Sequence, residues 1–351
     1  MVDYIIVGLG LAGTAFAEQL LKHEKSFIVY DDTSQQSSLV AGALYNPVIL
    51  KRFTKVWRAH EQLASVESFY PQLESKLNVK FDFKIPVYRR FASVEEQNLW
   101  FDAADKPLLE DFLSTTLIKN DNNNIDAPFG YGEVLSTGRV DTDILMTSYT
   151  AYLLREGFLK KERFNYEDLI IEADHVMYNN VKAKNIVFCE GFGLKSNPYF
   201  NYLPLNGTKG QLLTIHAPEL KTDFVLKSSV FLIPTGNDFY RVGATYERHD
   251  KTNQITREAR EELLAKMDTF IKCPYEVVDQ KAGIRPTVTD RRPLVGKHPV
   301  YPNVYVLNGM GSRGVMIAPY ASGQLYEAIE LSQPIDDDMD ILRFRKKYPA
   351  P

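Results

Sequence analysis

Three closely spaced glycines near the start of the chain could bring backbone amides against a phosphate. Gly8, Gly10 and Gly13 have the spacing G-x-G-x-x-G, which suits a tight turn, a close approach to pyrophosphate and close packing of a helix on a strand. A helix that starts there directs its positive end at the phosphates. Asp31 and Asp32 follow the next apolar run, where an acid can accept hydrogen bonds from a ribose diol and repels a 2′-phosphate. The pattern predicts one bound dinucleotide, with NADP disfavoured; the alternative is a structural glycine turn.

A second candidate for chemistry is Arg285, in the stretch AGIRPTVTD at positions 282 to 290. The proline that follows it fixes its own φ and favours an extended backbone at the arginine. A guanidinium presents a planar fork of donors and stays charged at any working pH. The residues therefore indicate an arginine aimed at an anion, and they leave the identity of that anion open.

The elements that must position these residues alternate between strand and helix at both ends of the chain. DYIIVG, the glycine turn, a helix and SFIVYD form a βαβ opening with buried parallel strands. VYVLNG, the turn GMGSRG and a helix from about 314 to 331 repeat that pattern near the other end. The stretch from 210 to 246 is typical of antiparallel strands, and a helix capped by Thr256 precedes the strand that leads into Arg285. A further helix is predicted from about 142 to 156.

This interleaving predicts a two-lobed α/β (α+β) fold, with a Rossmann-like dinucleotide-binding domain and an interleaved antiparallel-sheet substrate domain. The length of 351 residues also favours two lobes over one simple core. We assign residues 1–50, 136–209 and 283–351 to the dinucleotide-binding domain, and residues 51–135 and 210–282 to the substrate domain.

Composition excludes several classes of protein. A net charge of −4 argues against a general nucleic-acid binder, which needs clustered cations. The two cysteines are far apart and the six histidines show no metal-ligand spacing, so we expect no metal and redox chemistry only through a cofactor. Because no apolar run is long enough to cross a bilayer and no signal-peptide pattern opens the sequence, we expect a cytoplasmic protein.

Six blocks together resemble the D-amino-acid oxidase and glycine oxidase family of FAD enzymes. They also resemble the oxidase domain of the bacterial enzyme that completes methylaminomethyl groups on tRNA wobble uridines, especially through GALY and GSRG. The blocks occur in the family's order and span nearly the whole chain. They are SSLVAGAL (37–44), FCEG (188–191), TKGQLLTI (208–215), GATYE (243–247), AGIRPTVTDRRPLVG (282–296) and NGMGSRGVMIAP (308–319).

The resemblance implies FAD and a set of site residues. It implies that Arg285 holds the substrate carboxylate in front of the flavin; the alternative is an internal ion pair with an acid such as Asp290. Covalent members of the family attach flavin through a cysteine just after the Arg-Pro pair, and Thr287 at that position implies noncovalent FAD. The catalytic candidates are Arg285, Arg313 and Tyr246. The cofactor-binding candidates are Gly8, Gly10, Gly13, Asp31, Asp32, Ser37, Ser38, Gly42, Ala43, Gly191, Gly210, Gly311, Ser312, Arg313, Gly314 and Val315.

Three of these assignments have a purely structural alternative. Arg313 could be a surface arginine, Tyr246 could simply pack in the sheet, and Gly210 could mark a plain bulge. From about residue 53 the spacing of apolar residues predicts a helix. Four basic residues lie at its start, Lys51, Arg52, Lys55 and Arg58, and all but Arg52 would share one face of a helix. Such a basic face could bind nucleic acid, but a basic face of this kind is more often only exposed to solvent.

The function implied is an FAD-dependent oxidation of the C–N bond of an amino acid or N-substituted glycine, by hydride transfer to flavin. The partners expected are a small carboxylate-bearing amine and an electron acceptor, dioxygen or another. Two alternatives remain open: a tRNA wobble-uridine side-chain oxidase and an FAD-dependent 2-hydroxy-acid dehydrogenase. A flavoprotein that holds its cofactor without turnover is a third.

Overall fold

The computed structural model describes residues 1–348 and places most strands in two large β-sheets. The α-helices are α1 (Leu11–Lys22), α2 (Ser37–Val40), α3 (Ala59–Leu77), α4 (Val94–Ala104), α5 (Thr142–Arg155), α6 (Arg257–Met267) and α7 (Gly314–Glu330). The β-strands are β1 (Val2–Val7), β2 (Phe27–Tyr30), β3 (Leu44–Tyr45), β4 (Val48–Ile49), β5 (Thr54–Lys55), β6 (Asp82–Lys84), β7 (Val87–Arg90), β8 (Leu113–Ile118), β9 (Tyr131–Val134), β10 (Gly138–Val140), β11 (Leu159–Lys160), β12 (Leu169–Ile171), β13 (Val176–Tyr178), β14 (Val181–Phe188), β15 (Thr208–His216), β16 (Val225–Lys227), β17 (Phe231–Gly236), β18 (Phe239–Gly243), β19 (Glu276–Arg285), β20 (Leu294–Lys297) and β21 (Val304–Asn308).

The first sheet carries the predicted βαβ opening. Strands β11, β2, β1, β14 and β21 are parallel, and β12, β13 and β20 are joined to them by antiparallel pairing. Tyr4, Ile5 and Ile6 of β1 are fully buried, as expected for a parallel strand covered on both faces. Helices α1 and α7 pack against each other, and α3 packs on α7. The predicted strand, turn and helix units at both chain ends are confirmed.

The second sheet has the order β19-β15-β18-β17-β16-β7-β9-β8 and is antiparallel except for the pair β16 and β7. One face is covered by α6, whose Leu263 and Met267 are fully buried. The predicted cap is present, since the Ala259 amide donates to Thr256 Oγ1 at 3.3 Å. The other face looks toward the first sheet: a Cβ on Gly42 would lie 3.0 Å from Ile233 Cδ1. The predicted mixed α/β fold with an interleaved antiparallel sheet is confirmed.

The helix predicted from about residue 53 begins later, at Ala59. The residues before it form a short antiparallel ribbon in which Val48 pairs with Lys55, and Arg58 adopts a left-handed φ of 50° before the first helical residue. Lys51, Lys55 and Arg58 therefore do not share a helix face, and that prediction was wrong. Local strand pairing, which the helical spacing of the apolar residues did not reveal, is the reason.

The charged composition of the segment from residue 335 predicts a peripheral tail, but Met339 and Ile341 are buried. The Met339 carbonyl accepts from the Val295 amide at 3.0 Å, which ties the segment to the first sheet. The lobe boundaries stay a prediction. Two of them, 209/210 and 282/283, fall inside β15 and β19, and residues 349–351 of the predicted dinucleotide-binding lobe lie outside the described residues.

Cys189 and Cys273 are buried free thiols. Among residues 1–348, no cluster of three or more histidine, cysteine or acidic side chains could hold a metal ion. Within the same residues, no helix combines the length and apolar character needed to cross a membrane.

Candidate active site

A cavity of about 1230 Å³ lies between the two large sheets. Its wall includes the glycine turn and the carboxyl end of β2 on the side of the first sheet, and Tyr246 and Arg285 on the side of the second. Pockets for drug-sized ligands occupy about 300–1,000 Å³. The cavity is therefore large enough for a cofactor together with a small substrate.

The glycine turn has the close contacts that its spacing predicts. Gly8 has φ of 96°, and a Cβ there would lie 2.7 Å from the carbonyl oxygen of Cys189. A Cβ on Gly13 would lie 2.0 Å from the carbonyl oxygen of Gly8, so only glycine lets α1 approach the strand this closely. Gly10 lies at the N-terminal end of α1 and lines the cavity. The amino end of α1 is thus open to a phosphate-bearing ligand.

The Asp31 carboxylate stabilises this turn by hydrogen bonds. It accepts from the Leu9 amide at 2.9 Å and from the Thr33 amide at 3.1 Å. Burial raises the pKa of Asp31, and the two amides partly oppose that shift. Asp32 also lines the cavity. The role of either acid toward a ribose stays a prediction.

Glu190 is a buried acid on the cavity wall that the sequence interpretation did not single out. It is 9% exposed, and its carboxylate accepts from the Tyr166 hydroxyl and from Asn197 Nδ2, the latter at 2.7 Å. Burial raises the pKa of Glu190 to about 7, the two hydrogen bonds oppose the rise, and the charge of Asp32 adds to it. The one available signal was its place in FCEG, directly before Gly191.

We expect Glu190 to make the stability of the FAD-free protein depend on pH. Its pKa is about 7 in the folded state against an ordinary 4.5, so its protonation favours folding. That stabilisation is fully present below pH 4.5 and is lost as pH rises through about 7. The free energy of unfolding of the wild type, minus that of Glu190→Gln, should fall by on the order of 2 to 3 kcal/mol over this window.

Chemical denaturation of both proteins at several pH values measures this difference. His298, whose pKa burial lowers to about 4, acts with the opposite sign: its contribution is present above pH 6.5 and is lost as pH falls through about 4. Both proteins contain His298, so the subtraction removes it. Parallel curves for the two proteins would contradict the prediction.

Arg285 points its guanidinium into the cavity without an acidic partner among the described residues. The guanidinium donates to the Thr245 carbonyl at 3.3 Å and, at 3.5 Å, to that of Lys209. Asp290, the acid proposed for an internal ion pair, instead binds Arg343 at 2.9 Å. Burial lowers the pKa of Arg285, although a guanidinium stays charged in proteins. The ion-pair alternative with Asp290 is therefore wrong.

Gly210 makes room for that guanidinium. A Cβ on Gly210 would lie 2.0 Å from Arg285 Nη2 and 2.3 Å from its Cζ. Gly210 pairs in regular register with Gly283 of β19, and the irregularity in this pair of strands falls between Thr214 and Ile215. The bulge interpretation of Gly210 is therefore wrong, and its contact with FAD stays a prediction.

Tyr246 and Arg313 also line the cavity. The Tyr246 side chain is 52% exposed and its ring centroid lies 6.0 Å from Arg285 Cζ, so simple packing within the sheet does not describe it. Arg313 precedes α7 and is half-buried. Burial lowers the pKa of Arg313, and the charge of Arg291 adds to the effect. A freely solvated surface arginine would not be shielded in this way.

The other predicted cofactor residues lie along the same cavity, although the structure does not test their contacts. They are Ser37, Ser38, Gly42, Ala43, Gly191, Gly311, Ser312, Gly314 and Val315. Thr287 lines it as well, and its hydroxyl lies 2.5 Å from that of Thr208. Of the four basic residues from 51 to 58, the cavity wall includes only Lys51, and Arg58 pairs with Asp336 at 2.8 Å.

These features are those of a flavin-dependent oxidoreductase, and the chain belongs to that class by sequence. Residues 3–327 match the protein family described as DAO, FAD dependent oxidoreductase. The chain is therefore a member of this family, and FAD is its cofactor.

Individual relatives are distant. The chain is 21% identical to glycine oxidase of Bacillus subtilis (strain 168), in an alignment covering 96% of this chain and 95% of that enzyme. It is 23% identical to the tRNA 5-methylaminomethyl-2-thiouridine biosynthesis bifunctional protein MnmC of Legionella pneumophila (strain Corby), over 57% of this chain and 34% of that protein. The chain thus covers about a third of the length of that relative.

Solved structures share the fold over nearly the whole chain. Glycine oxidase from Bacillus cereus ATCC 14579 superimposes with a TM-score of 0.78 at 18% identity, covering 95% of this chain and 96% of that one. L-proline dehydrogenase from P. horikoshii gives a TM-score of 0.78 at 16% identity, covering 98% of both chains. Iminodiacetate oxidase from Chelativorans sp. BNC1 gives a TM-score of 0.75 at 16% identity, covering 95% of this chain and 96% of that one.

Proposed function

We propose that this FAD-dependent oxidoreductase oxidises the C–N bond of an amino acid or N-substituted glycine whose carboxylate binds Arg285. The observation that carries the proposal is the Arg285 guanidinium, which lines the cofactor cavity and has no acidic partner among residues 1–348. A shielded, unpaired cation favours an anionic ligand. The names of the glycine oxidase and iminodiacetate oxidase relatives, which act on small carboxylate-bearing amines, support this substrate class.

The residues that would hold the cofactor are those of the glycine turn, with α1 directed at its diphosphate and Asp31 near the ribose. The cavity fits such a ligand, since Gly8 and Gly10 on its wall have no side chains and Gly13 lets α1 pack close behind them. Bound FAD supplies a two-electron acceptor for the hydride that leaves the substrate carbon. Thr287, in place of a cysteine, supports noncovalent attachment.

Around the substrate, Arg285 would fix the carboxylate by a charge-assisted pair of hydrogen bonds, which orients the neighbouring carbon. A cation close to the amine also lowers the ammonium pKa, which favours the neutral amine that can be oxidised. Tyr246 is placed to donate a hydrogen bond beside Arg285. Arg313 would contribute a second positive charge at the same end of the cavity.

Two other functions follow from specific features. Similarity to MnmC supports a tRNA wobble-uridine oxidase, although the loss of a shared basic helix face at residues 51–58 removes one argument for it. A 2-hydroxy-acid dehydrogenase would use the same carboxylate site for C–OH oxidation. A cytoplasmic location stays a prediction, and so does the use of dioxygen or another electron acceptor as oxidant.

Anaerobic mixing of the FAD-loaded protein with two ligand sets, together with a tRNA-binding assay, tests the proposal. Amino acids and N-substituted glycines should bleach the flavin absorbance, whereas 2-hydroxy acids should not. Bleaching by hydroxy acids alone would favour the dehydrogenase. Bleaching by neither set, together with salt-sensitive tRNA binding, would favour the tRNA enzyme, and no bleaching by any ligand would favour a flavoprotein without turnover.

A further inference from the structure

A lysine of the second sheet lines the same cavity at a distance from Arg285. Lys227 ends β16 and pairs with Phe231 of β17. Phe231 pairs with Gly243 of β18, and Gly243 pairs with Leu212 of β15. Residues directly opposite each other project from the same face of a sheet. Lys227 therefore lies on the face that also carries Gly210, two residues along β15 from Leu212.

The ammonium of Lys227 lacks an acidic partner among the described residues. Its nearest acceptor is the Ser229 carbonyl at 3.4 Å. Burial lowers the pKa of Lys227 to about 8, and the positive charges of Arg89 and Lys266 add to that effect. Both of those neighbours are themselves paired, with Glu96 and Glu262 respectively.

The shielded position of the Lys227 ammonium is energetically unfavourable unless an anion occupies the cavity. Shielding a cation from water costs free energy when no anion compensates it, and the chain supplies compensation for Arg89 and Lys266 but not for Lys227. An anionic group of a ligand in the cavity would supply it. With a pKa of about 8, the lysine is already mostly protonated at neutral pH, and a nearby anion would raise that pKa further.

The spacing between the two cations sets the length of such a ligand. The Lys227 ammonium lies 4.7 Å from the ring centroid of Phe231, so the side chain leans from β16 over β17, toward the strand that carries Gly210. Two strand spacings of about 4.8 Å across the sheet, and two residues of about 3.4 Å each along β15, then separate it from Gly210, or about 12 Å in total. The Arg285 guanidinium lies directly over Gly210 on β15. A ligand that bridges both cations must therefore be extended.

We propose that the substrate carries a second anionic group, a carboxylate or a phosphate, which binds Lys227 while the first carboxylate binds Arg285. This inference rests on the proposed function and narrows it. The substrate class becomes amino acids or N-substituted glycines with an acidic group at the far end of a chain of about 12 Å. Glycine and proline, which have no such group, would be poor substrates.

Anaerobic rapid mixing of the FAD-loaded protein with each probe at pH 7 tests the proposal, because the shift of the flavin absorbance spectrum before any reduction gives the dissociation constant. The first probe is N-(5-carboxypentyl)glycine, whose extended chain spans about this distance, and the second is its neutral primary amide. A third probe, N-(4-phosphonobutyl)glycine, compares phosphonate with carboxylate. The wild type should bind the dicarboxylate about 10- to 100-fold more tightly than the amide, as expected for a charge-assisted hydrogen bond.

Lys227→Met should reduce this preference to about one, without changing the affinity for the amide, and Lys227→Arg should retain most of it. Lys221→Met is the matched control, because Lys221 is exposed, pairs with Asp238 at 2.9 Å and lies outside the cavity wall. It removes the same unit of charge, and the preference should be unchanged. Tighter binding of the phosphonate than of the dicarboxylate would identify phosphate as the second group.

Probe binding tests the role of Lys227, and flavin reduction tests the proposed oxidation, so the two proposals can fail separately. Equal affinities for dicarboxylate, phosphonate and amide, or a preference that survives in Lys227→Met, would overturn the role of Lys227 even if the flavin is reduced. A Lys227-dependent preference without anaerobic reduction by either anionic probe would keep that role and overturn the oxidation. If no probe perturbs the flavin spectrum, the role of Lys227 is overturned, and the bleaching screen with other amines alone decides the proposed oxidation.

Discussion

Arg285→Ala should lower kcat/KM for the amine substrate by on the order of 100-fold or more, mainly through KM, while the protein stays folded and yellow. Each hydrogen bond between a guanidinium and a carboxylate contributes about 1.5–3 kcal/mol, and a bidentate pair also orients the ligand. Removing the fork therefore weakens binding and misplaces the reacting carbon. Steady-state kinetics with the best substrate of the bleaching screen measures the effect.

Folding should survive because Arg285 does not bridge the lobes by an ion pair. Its guanidinium contacts are long hydrogen bonds to the carbonyls of Thr245 and Lys209. Arg285→Lys should recover part of the binding, since it restores charge without the planar fork. An unchanged KM in Arg285→Ala would remove the carboxylate assignment.

Arg248→Ala provides a matched control. Arg248 lies over the same Tyr246 ring, with its Cζ 5.6 Å from the centroid, but it is not part of the cavity wall. The substitution removes an equivalent charge from the same neighbourhood and should leave KM within about twofold, as expected for a solvated surface charge. A similar rise in KM in both variants would mean that the substrate responds to the overall positive potential, rather than to the Arg285 guanidinium alone.

Much of the fold could be predicted because its strongest signals are local. The turn between Gly8 and Gly13 has an obligatory backbone geometry, and the apolar runs of β1 and β21 are long enough to be unambiguous. The helix expected from about 142 to 156 is α5, with Asp141 as its cap: the Ile144 amide donates to Asp141 Oδ1 at 3.2 Å. Arg285 could be located in the sequence, but its lack of an acidic partner among the described residues could not.

What the sequence could not reveal depends on contacts between distant segments. Lys227 stands in an ordinary charged stretch, and its place in the cavity follows from the pairing of β16 with β17 and of β17 with β18. Nothing in the FCEG block singled out Glu190, because its burial depends on contacts with Tyr166 and Asn197. The ribbon before α3 was missed because strand pairing at Lys55 overrides a helical pattern of apolar residues.

The contact between Gly210 and Arg285 gives the second large effect. A Cβ on Gly210 would lie 2.0 Å from Arg285 Nη2, which is far inside van der Waals contact. The atoms in conflict are the end of a flexible side chain, so the arginine, rather than the backbone, would move. A displacement of about 1 Å at a substrate-positioning group can cost on the order of 100-fold in rate.

Gly210→Ala should therefore lower kcat/KM by on the order of 100-fold while the protein remains folded and keeps its FAD. The control is Gly323→Ala within α7, where an added Cβ has Gln19 Nε2 as its nearest neighbour, at 3.8 Å; its kinetics should match the wild type.

A double-mutant cycle shows whether the two residues act through one group. If Gly210 matters because it makes room for the guanidinium, an alanine at position 210 has nothing left to displace once Arg285→Ala is present. The double variant should then be no worse than Arg285→Ala alone, a coupling of about 2–3 kcal/mol between contacting residues. Additive losses in kcat/KM would mean that Gly210 acts on the cofactor or substrate independently of Arg285, as expected if its backbone instead passes close to the flavin.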